Sequence, residues 1–152
     1  MKEIFKELEF MWSKSNLDQI SAFEDFIVKN KNSTFIGLGA GRMGYSLKSF
    51  VMRLSHLGLK AYMIGDTTLP RVDENFTVIV NSSSGETESL KIFTYQAKKA
   101  GASILLLTAN ESSSLAKLAD LKLIFPEINS NQIMKSIFEQ YSFLLFDYII
   151  KN

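Results

Sequence analysis

The sequence of 152 residues contains no cysteine, one histidine and two prolines. Without cysteine the chain has no disulfide, no thiolate metal ligand and no cysteine nucleophile, and a single histidine excludes a metal site built from several histidines. The 17 basic and 16 acidic residues nearly balance, so the charge favours neither nucleic acid nor an anionic membrane as a partner. Any catalysis must therefore use polar side chains other than cysteine, without a metal held by several histidines.

Long apolar runs and targeting signals are missing as well. No apolar stretch approaches the length of a membrane span. The amphipathic N-terminus carries Glu3, Glu7 and Glu9, which is not typical of a signal peptide. A chain of this length can bury a core of its own as one domain. We therefore expect a single cytoplasmic domain over residues 1–152.

Strands and helices are predicted to alternate after two N-terminal helices within residues 1–30. Five short apolar runs predict buried parallel strands, at residues 34–38, 60–64, 76–80, 103–107 and 121–125. Short connections between these elements indicate an α/β fold with a doubly wound, five-stranded parallel sheet over residues 33–126. The two Phe-rich N-terminal helices carry more apolar surface than is needed to cover one edge of the sheet, so we expect them to pack on another subunit.

The last predicted helix, residues 131–151, is apolar around nearly its whole circumference. Its apolar side chains are Ile133, Ile137, Phe138, Tyr141, Phe143, Leu144, Leu145, Phe146, Tyr148, Ile149 and Ile150. A helix of this composition must be buried on all sides. In so short a chain this predicts a helix pressed between subunits, with full burial inside one chain as the alternative.

One junction between a strand and a helix, residues 82–87 (SSSGET), is named the serine loop here. A helix N-terminus presents unpaired backbone N–H groups, Ser and Thr hydroxyls donate to anionic oxygens, and Gly85 lets the backbone come close. We interpret the serine loop as a phosphate site. The alternative is ordinary capping by Ser84, or a capping box of Ser83 with Glu86, although a cap needs one hydroxyl and not three.

Residues 39–44 (GAGRMG), the glycine loop, also join a strand to a helix. They fit the dinucleotide pattern G-x-G-x-x-G, and Asp66 could hold a ribose hydroxyl, so a small NAD-binding protein is one interpretation. A second anion loop and the absence of a second domain favour one small phosphorylated ligand instead. Parallel strands would bring both loops to one edge of the sheet, beside residues 66–68 and 108–114.

Taken in order, the motifs resemble a sugar isomerase (SIS) domain, and more narrowly the 6-phospho-3-hexuloisomerase family. These motifs are GAGRMG, MRLSHLG at 52–58, DTTLP at 66–70, SSSGET, and TAN at 108–110 followed by SLAKLAD at 114–120. The resemblance implies a flavodoxin-like sheet and a homodimer or homotetramer with active sites near subunit interfaces. It also implies reversible conversion of a 3-hexulose 6-phosphate to fructose 6-phosphate without metal or cofactor.

The resemblance also assigns roles to single residues. It places Ser82, Ser84 and Thr87 in a phosphate-binding loop, Arg42 beside the sugar, and Glu139 at the position of the family's proposed catalytic glutamate. From the same loops we add four binding residues, which are Gly41, Thr67, Gly85 and Asn110.

Moving a carbonyl along a sugar requires a base, a proton donor for the oxygens, and stabilisation of an enediolate. Glu139 lies in an apolar run, where desolvation strengthens a carboxylate as a base; a solvated surface charge is the alternative. His56, the single imidazole, would move protons between sugar oxygens, unless it only interacts with a helix dipole. Arg42 would neutralise the enediolate or hold the phosphate, and a surface arginine is its alternative.

Three positions depart from the family's pattern. Met43 stands in place of a serine that touches the ligand, Ser83 replaces a loop glycine, and Lys135 replaces a small residue ahead of the glutamate. These departures leave a second hypothesis open, in which a SIS module binds a phosphosugar and changes a partner protein without catalysis.

Overall fold

The computed structural model describes residues 1–151, which form six helices and five strands. In chain order these are α1 Lys2–Lys14, α2 Leu17–Lys29, β1 Thr34–Gly39, α3 Gly41–His56, β2 Lys60–Met63, β3 Phe76–Asn81, α4 Glu88–Lys99, β4 Ser103–Thr108, α5 Ser114–Leu118, β5 Leu121–Ile124 and α6 Ser136–Lys151. The elements alternate as predicted from the spacing of apolar residues.

The five strands form one parallel sheet in the order β2-β1-β3-β4-β5. Strand β3 lies at the centre, and all six of its residues are buried. This strand order is that of flavodoxin-like folds, so the predicted fold class is confirmed. Because all strands run the same way, the loops that follow them share one side of the sheet, named the carboxyl edge here.

Alternate residues of the strands pack on opposite faces of the sheet. Phe35, Ile79 and Leu105 join a cluster with α1, α2, α3 and α6, in which the rings of Phe50 and Phe146 stack at 4.5 Å. The next residues along the same strands pack against α4 and α5 in a second cluster. The N-terminal helices and α6 therefore cover the same face of the sheet.

Helices α1 and α2 are separated where the sequence predicts a break. The side chain of Asn16 accepts a hydrogen bond from the Gln19 amide and begins α2. Helix α1 buries Met11, whereas Phe5 and Trp12 stay exposed. Packing of these helices on another subunit stays a prediction.

The predicted start of the last helix is wrong. Helix α6 begins at Ser136 and not at residue 131, because Met134 adopts a left-handed φ of 54° and residues 130–132 hydrogen-bond to α1. Within the single chain Phe143, Leu144 and Tyr148 are 44%, 51% and 40% exposed, so the alternative of full burial inside one chain is wrong, and burial against another subunit stays a prediction. Even this apolar helix does not span a membrane, since no helix in residues 1–151 is long and apolar enough.

Candidate active site

The serine loop leaves the central strand β3 at the carboxyl edge. Ser82 and Ser83 are buried and Ser84 is exposed. The Gly85 amide donates to Ser82 Oγ at 3.2 Å, and the Glu86 amide donates to Ser84 Oγ at 3.2 Å. Both hydroxyl oxygens thus accept from the loop backbone, which leaves their hydrogens to donate to an anion.

Neighbouring residues of β4 and α5 hold the carbonyls of the serine loop. The Ser83 carbonyl accepts from the Ala109 amide and from Thr108 Oγ1, both at 3.0 Å. Asn110 Nδ2 donates to the Ser84 carbonyl at 3.2 Å. Asn110, predicted as a binding residue, therefore supports the loop in this structure.

Gly85 occupies a position that excludes any larger residue. Its φ is +65°, and an added Cβ would lie 2.5 Å from Ser113 Cβ and closer still to Ser113 Oγ. Its carbonyl accepts from the Leu115 amide at 3.2 Å. The close contact with α5 fixes the bend that turns the serine loop toward α4.

Helix α4 is capped differently from the two capping alternatives. Its N-cap is Thr87, whose side chain makes no capping hydrogen bond among the described residues. Glu86 instead accepts from the Ser114 amide at 2.7 Å, and this bond is the main cause that lowers the pKa of Glu86. Neither alternative, a cap at Ser84 or a capping box of Ser83 with Glu86, is found within residues 1–151, and the first-turn amides of α4 face the loop without an intrahelical acceptor.

Arg42 and Glu139, two predicted site residues, are in contact. Arg42 Nε lies 2.5 Å from Glu139 Oε2, although 97 residues separate them in sequence. The Glu139 side chain is 15% exposed and the Arg42 side chain 67%. Helices α3 and α6 thus present a shielded carboxylate beside a guanidinium that faces solvent.

Asn81, the last residue of β3, immediately precedes the serine loop and hydrogen-bonds to the two helices that carry the ion pair. Its Nδ2 donates to the Met43 carbonyl and to Ser46 Oγ, both at 3.1 Å, and its Oδ1 accepts from Ser142 Oγ at 3.4 Å. Met43 Sδ in turn accepts from the Ser83 amide at 3.4 Å. The sequence analysis missed Asn81, although a polar residue that ends a buried strand is a usable signal.

A cleft of about 550 Å³ opens beside the ion pair. It is lined by Ile4, Phe5, Leu8, Arg42, Tyr45, Ser46, Glu139, Gln140, Phe143 and Leu144. Apolar side chains from α1 and α6 form most of its surface, and the polar groups of α3 and α6 contribute a small part. The volume falls within the range of small-molecule sites.

Other predicted site residues lie elsewhere in the single chain. His56 is exposed at the far end of α3, a 16-residue helix about 24 Å long. Thr67 follows the edge strand β2, which lies two strands from β3, or about 10 Å across the sheet. Gly41 is exposed at the start of α3. The structure therefore does not bring His56 to Glu139 within one chain.

Asp66 has a local structural contact that bears on the dinucleotide interpretation. Its Oδ2 accepts from the Met63 amide at 2.8 Å and closes the turn after β2. A smaller cleft of about 380 Å³ lies there, beside the glycine loop. One carboxylate oxygen of Asp66, the residue that would hold the ribose, is therefore already engaged in a hydrogen bond.

The strand order of the parallel sheet, with a serine-rich loop after its central strand, defines an α/β domain of the flavodoxin-like class. The SIS domain profile matches residues 27–148, and the chain belongs to the SIS domain family. Within this family it resembles the 3-hexulose-6-phosphate isomerases. It is 35% identical to the Bacillus subtilis protein of that name, over 97% of this chain and 84% of that protein.

Two further comparisons show the same resemblance to 3-hexulose-6-phosphate isomerases. A Methanococcus jannaschii crystal structure, described as inferring a 3-hexulose-6-phosphate isomerase function, has a TM-score of 0.85 at 25% identity and covers 99% of this chain and 86% of that one. The 3-hexulose-6-phosphate isomerase of Mycobacterium gastri is 39% identical over 74% of this chain. The chain spans 56% of that protein, and 53% of a similar Archaeoglobus fulgidus protein, so about half the length of each.

Proposed function

We propose that this chain is a phosphosugar isomerase that interconverts a 3-hexulose 6-phosphate and fructose 6-phosphate. The observation that carries the proposal is the shielded Glu139 carboxylate, 2.5 Å from Arg42, at the same edge as the serine loop. The names of the Bacillus and Mycobacterium relatives support the substrate. The near balance of charge supports a small-molecule substrate and not a nucleic acid or membrane partner.

The serine loop would bind the phosphate. The hydroxyls of Ser82, Ser84 and Thr87 donate to its oxygens, and the first-turn amides of α4 add the positive end of the helix dipole. The bend at Gly85 lets the phosphate approach the backbone. Thr67, after β2, and Gly41, within the glycine loop, stay predicted binding residues, and their roles depend on how far the sugar extends.

The reaction then needs one proton moved between neighbouring carbons. Glu139 removes the proton from C3 of fructose 6-phosphate, and the C–H electron pair forms the double bond of a 2,3-enediolate. The same carboxylic acid returns the proton to C2 while a proton passes from O3 to O2, which leaves the carbonyl at C3. Arg42 stabilises the negative oxygen of the intermediate.

His56 can carry the proton between the two oxygens only if a second copy supplies it, because α3 separates His56 from Arg42 in one chain. Exposed apolar side chains beside the cleft support such a homo-oligomer. Phe5 on α1 and Phe143 and Leu144 on α6 line the cleft and stay exposed in the single chain.

A non-catalytic phosphosugar-binding module is the second candidate. The observation that favours it is the contact of Met43 Sδ with the Ser83 amide, which withdraws one donor from the serine loop. An NAD-binding protein is the weaker alternative, because Asp66 is engaged in its own turn.

The test is proton NMR of fructose 6-phosphate with the protein in heavy water. We expect deuterium to replace the C3 hydrogen, and Glu139→Gln to slow this exchange by roughly 10²- to 10⁴-fold, the usual contribution of a general base. Asp147→Asn, an exposed carboxylate on the same helix, is the matched control and should exchange at the wild-type rate. Line broadening without exchange in the wild type would replace the isomerase with the binding module.

A further inference from the structure

Asn81 ends the central strand β3, and its side chain is fully buried. Both hydrogens of its amide group are used, because Nδ2 donates to the Met43 carbonyl and to Ser46 Oγ, both at 3.1 Å. The Ser46 hydroxyl itself donates to the Met43 carbonyl at 2.9 Å. The three groups therefore form a closed set of hydrogen bonds between the end of β3 and the beginning of α3.

The beginning of α3 is weakly stabilised by its own sequence. Its N-cap is Ala40, whose methyl group cannot accept a capping hydrogen bond, and Gly41 enters the helix at a left-handed φ of 56°. Gly44 cannot be replaced by a better helix former, since an added Cβ would lie 2.6 Å from the Gly39 carbonyl oxygen. The Gly44 amide reaches the Ala40 carbonyl only at 3.3 Å, which is long for a hydrogen bond. This turn therefore depends on hydrogen bonds from outside the helix.

Arg42 lies on this first turn of α3. Its Nε contacts Glu139 of α6 at 2.5 Å, although the Arg42 side chain is 67% exposed and has little packing to hold it. Met43, whose carbonyl accepts from Asn81, is the next residue in sequence. Asn81 also directly precedes the serine loop. One buried side chain therefore sets the spacing between the Arg42 guanidinium and the predicted phosphate site.

We propose that Asn81 is a positioning residue for the isomerisation, which holds the first turn of α3 so that Arg42 meets both Glu139 and the sugar bound at the serine loop. The inference rests on the proposed function and deepens it. The buried side chain of Asn81 does not reach the ligand and acts through Arg42. A displacement of about 1 Å in a catalytic site can lower a rate by roughly 10²-fold, so hydrogen bonds at this turn affect turnover.

The first experiment separates turnover from phosphate binding. Asn81→Ala should lower kcat for fructose 6-phosphate by roughly 10- to 100-fold. KM and the dissociation constant of inorganic phosphate should stay the same, because the serine loop keeps its own hydrogen bonds to β4 and α5. Thr77→Val is the matched control. It removes a buried hydroxyl, 3.0 Å from Ser33 Oγ, at the other end of the same strand and should leave kcat unchanged.

A double variant tests whether Asn81 acts through Arg42. Arg42→Ala alone removes the guanidinium and should lower kcat by roughly 10²- to 10³-fold. Adding Asn81→Ala to it should then change kcat by no more than about twofold. If Asn81→Ala does not fold, Ser46→Ala replaces it, because this variant removes one acceptor of the Asn81 amide and one donor to the Met43 carbonyl. It should show the same pattern with a smaller loss.

The NMR signal of the Arg42 Nε–H group reports its contact with Glu139 without any turnover. In Asn81→Ala this hydrogen should exchange with water faster than in the wild type, because the turn that holds Arg42 against its acceptor is loosened. In Thr77→Val it should exchange at the wild-type rate.

Four results would overturn the inference. These are a wild-type kcat in Asn81→Ala, a loss of phosphate affinity as large as the loss of kcat, a full further loss in the double variant, and unchanged exchange of the Arg42 Nε–H. If the wild type exchanges the C3 hydrogen and Asn81→Ala reacts at the same rate, the isomerase stands and the positioning role is rejected. If the wild type does not exchange it, the proposed function fails, and the Nε–H exchange alone decides whether Asn81 positions Arg42.

Discussion

The serine loop and the connection of residues 126–135 each lead into a helix that borders the candidate site, α4 or α6. The carbonyls of the serine loop accept several neutral hydrogen bonds from β4 and α5, and Gly85 fits against Ser113 with no space left. Three bonds of the connection end on the single carboxylate of Glu7. One segment is held by fit and many neutral bonds, whereas the other depends on one charge.

Gly85→Ala tests how closely Gly85 fits against Ser113, and we expect this substitution to cause the largest loss of stability. A methyl group would overlap Ser113 and place a non-glycine residue at a φ of +65°. Overpacking and the left-handed conformation together should lower the free energy of unfolding by about 3 kcal/mol. Urea denaturation measures the loss.

Gly58→Ala is the matched control for this substitution. Gly58 has a φ of +84° with nothing within 4 Å of an added Cβ, so conformational strain alone should cost about 1 kcal/mol. If both variants lose the same stability, the fit against Ser113 is not what holds the serine loop.

Thr108→Val tests a single neutral bond of the serine loop. The hydroxyl donates to the Ser83 carbonyl and accepts from the Asn110 amide at 3.2 Å. The carbonyl keeps its bond from Ala109, but the amide loses its acceptor, so we expect a loss of about 1–2 kcal/mol by urea denaturation. Thr34→Val, on a strand threonine with no side-chain hydrogen bond in the described residues, should change stability by less than about 0.5 kcal/mol.

Acid should distinguish the two segments with the smallest change in overall stability. Glu7 and Glu86 both have a folded-state pKa below the ordinary 4.5 because amide and side-chain donors bind their carboxylates. Such a group stabilises the fold fully above its unfolded pKa, and this contribution is lost as the pH falls through the lower folded value. Protonation of Glu7 should release residues 130–132, whereas protonation of Glu86 frees the Ser114 amide and weakens the ion pair with Lys91.

Amide hydrogen exchange, measured by NMR from about pH 6 to about pH 3, tests whether the two segments differ in this way. The Asn131 amide should lose protection as the acid protonates Glu7, while the Gly85 and Ala109 amides stay protected. Loss of protection in both segments at the same pH would show that the serine loop also depends on a charge.

Local patterns were sufficient for most of the fold. The end of α3 at His56 and the strand bounds follow from apolar spacing, and Gly58 and Gly101 end their helices at positive φ, as glycine does most readily. The start of α6 could not be predicted in this way. It is set by bonds between Glu7 and residues 130–132, which are more than 120 residues away in sequence.

The residues of the candidate site show the same difference between what local sequence predicts and what only the fold reveals. The resemblance to the SIS family named Arg42 and Glu139, but their contact spans 97 residues and required the fold. Asn81 belongs to none of the family motifs, and its hydrogen bonds to α3 and α6 become visible only in the fold, although its place at the end of a buried strand was a usable signal. His56 is the opposite case: its residue type suits proton transfer, but it lies at the C-terminal end of α3, far from Arg42 and Glu139 within one chain.

The length of α3 has a consequence that a geneticist could observe. If His56 serves the site of a second copy, a gene that lacks this histidine and another that lacks Glu139 each encode an inactive product. In a mixed assembly, however, one site joins the intact glutamate of the first product to the intact histidine of the second. Two defective alleles would then complement each other in one cell, which is impossible when a single chain carries its whole site.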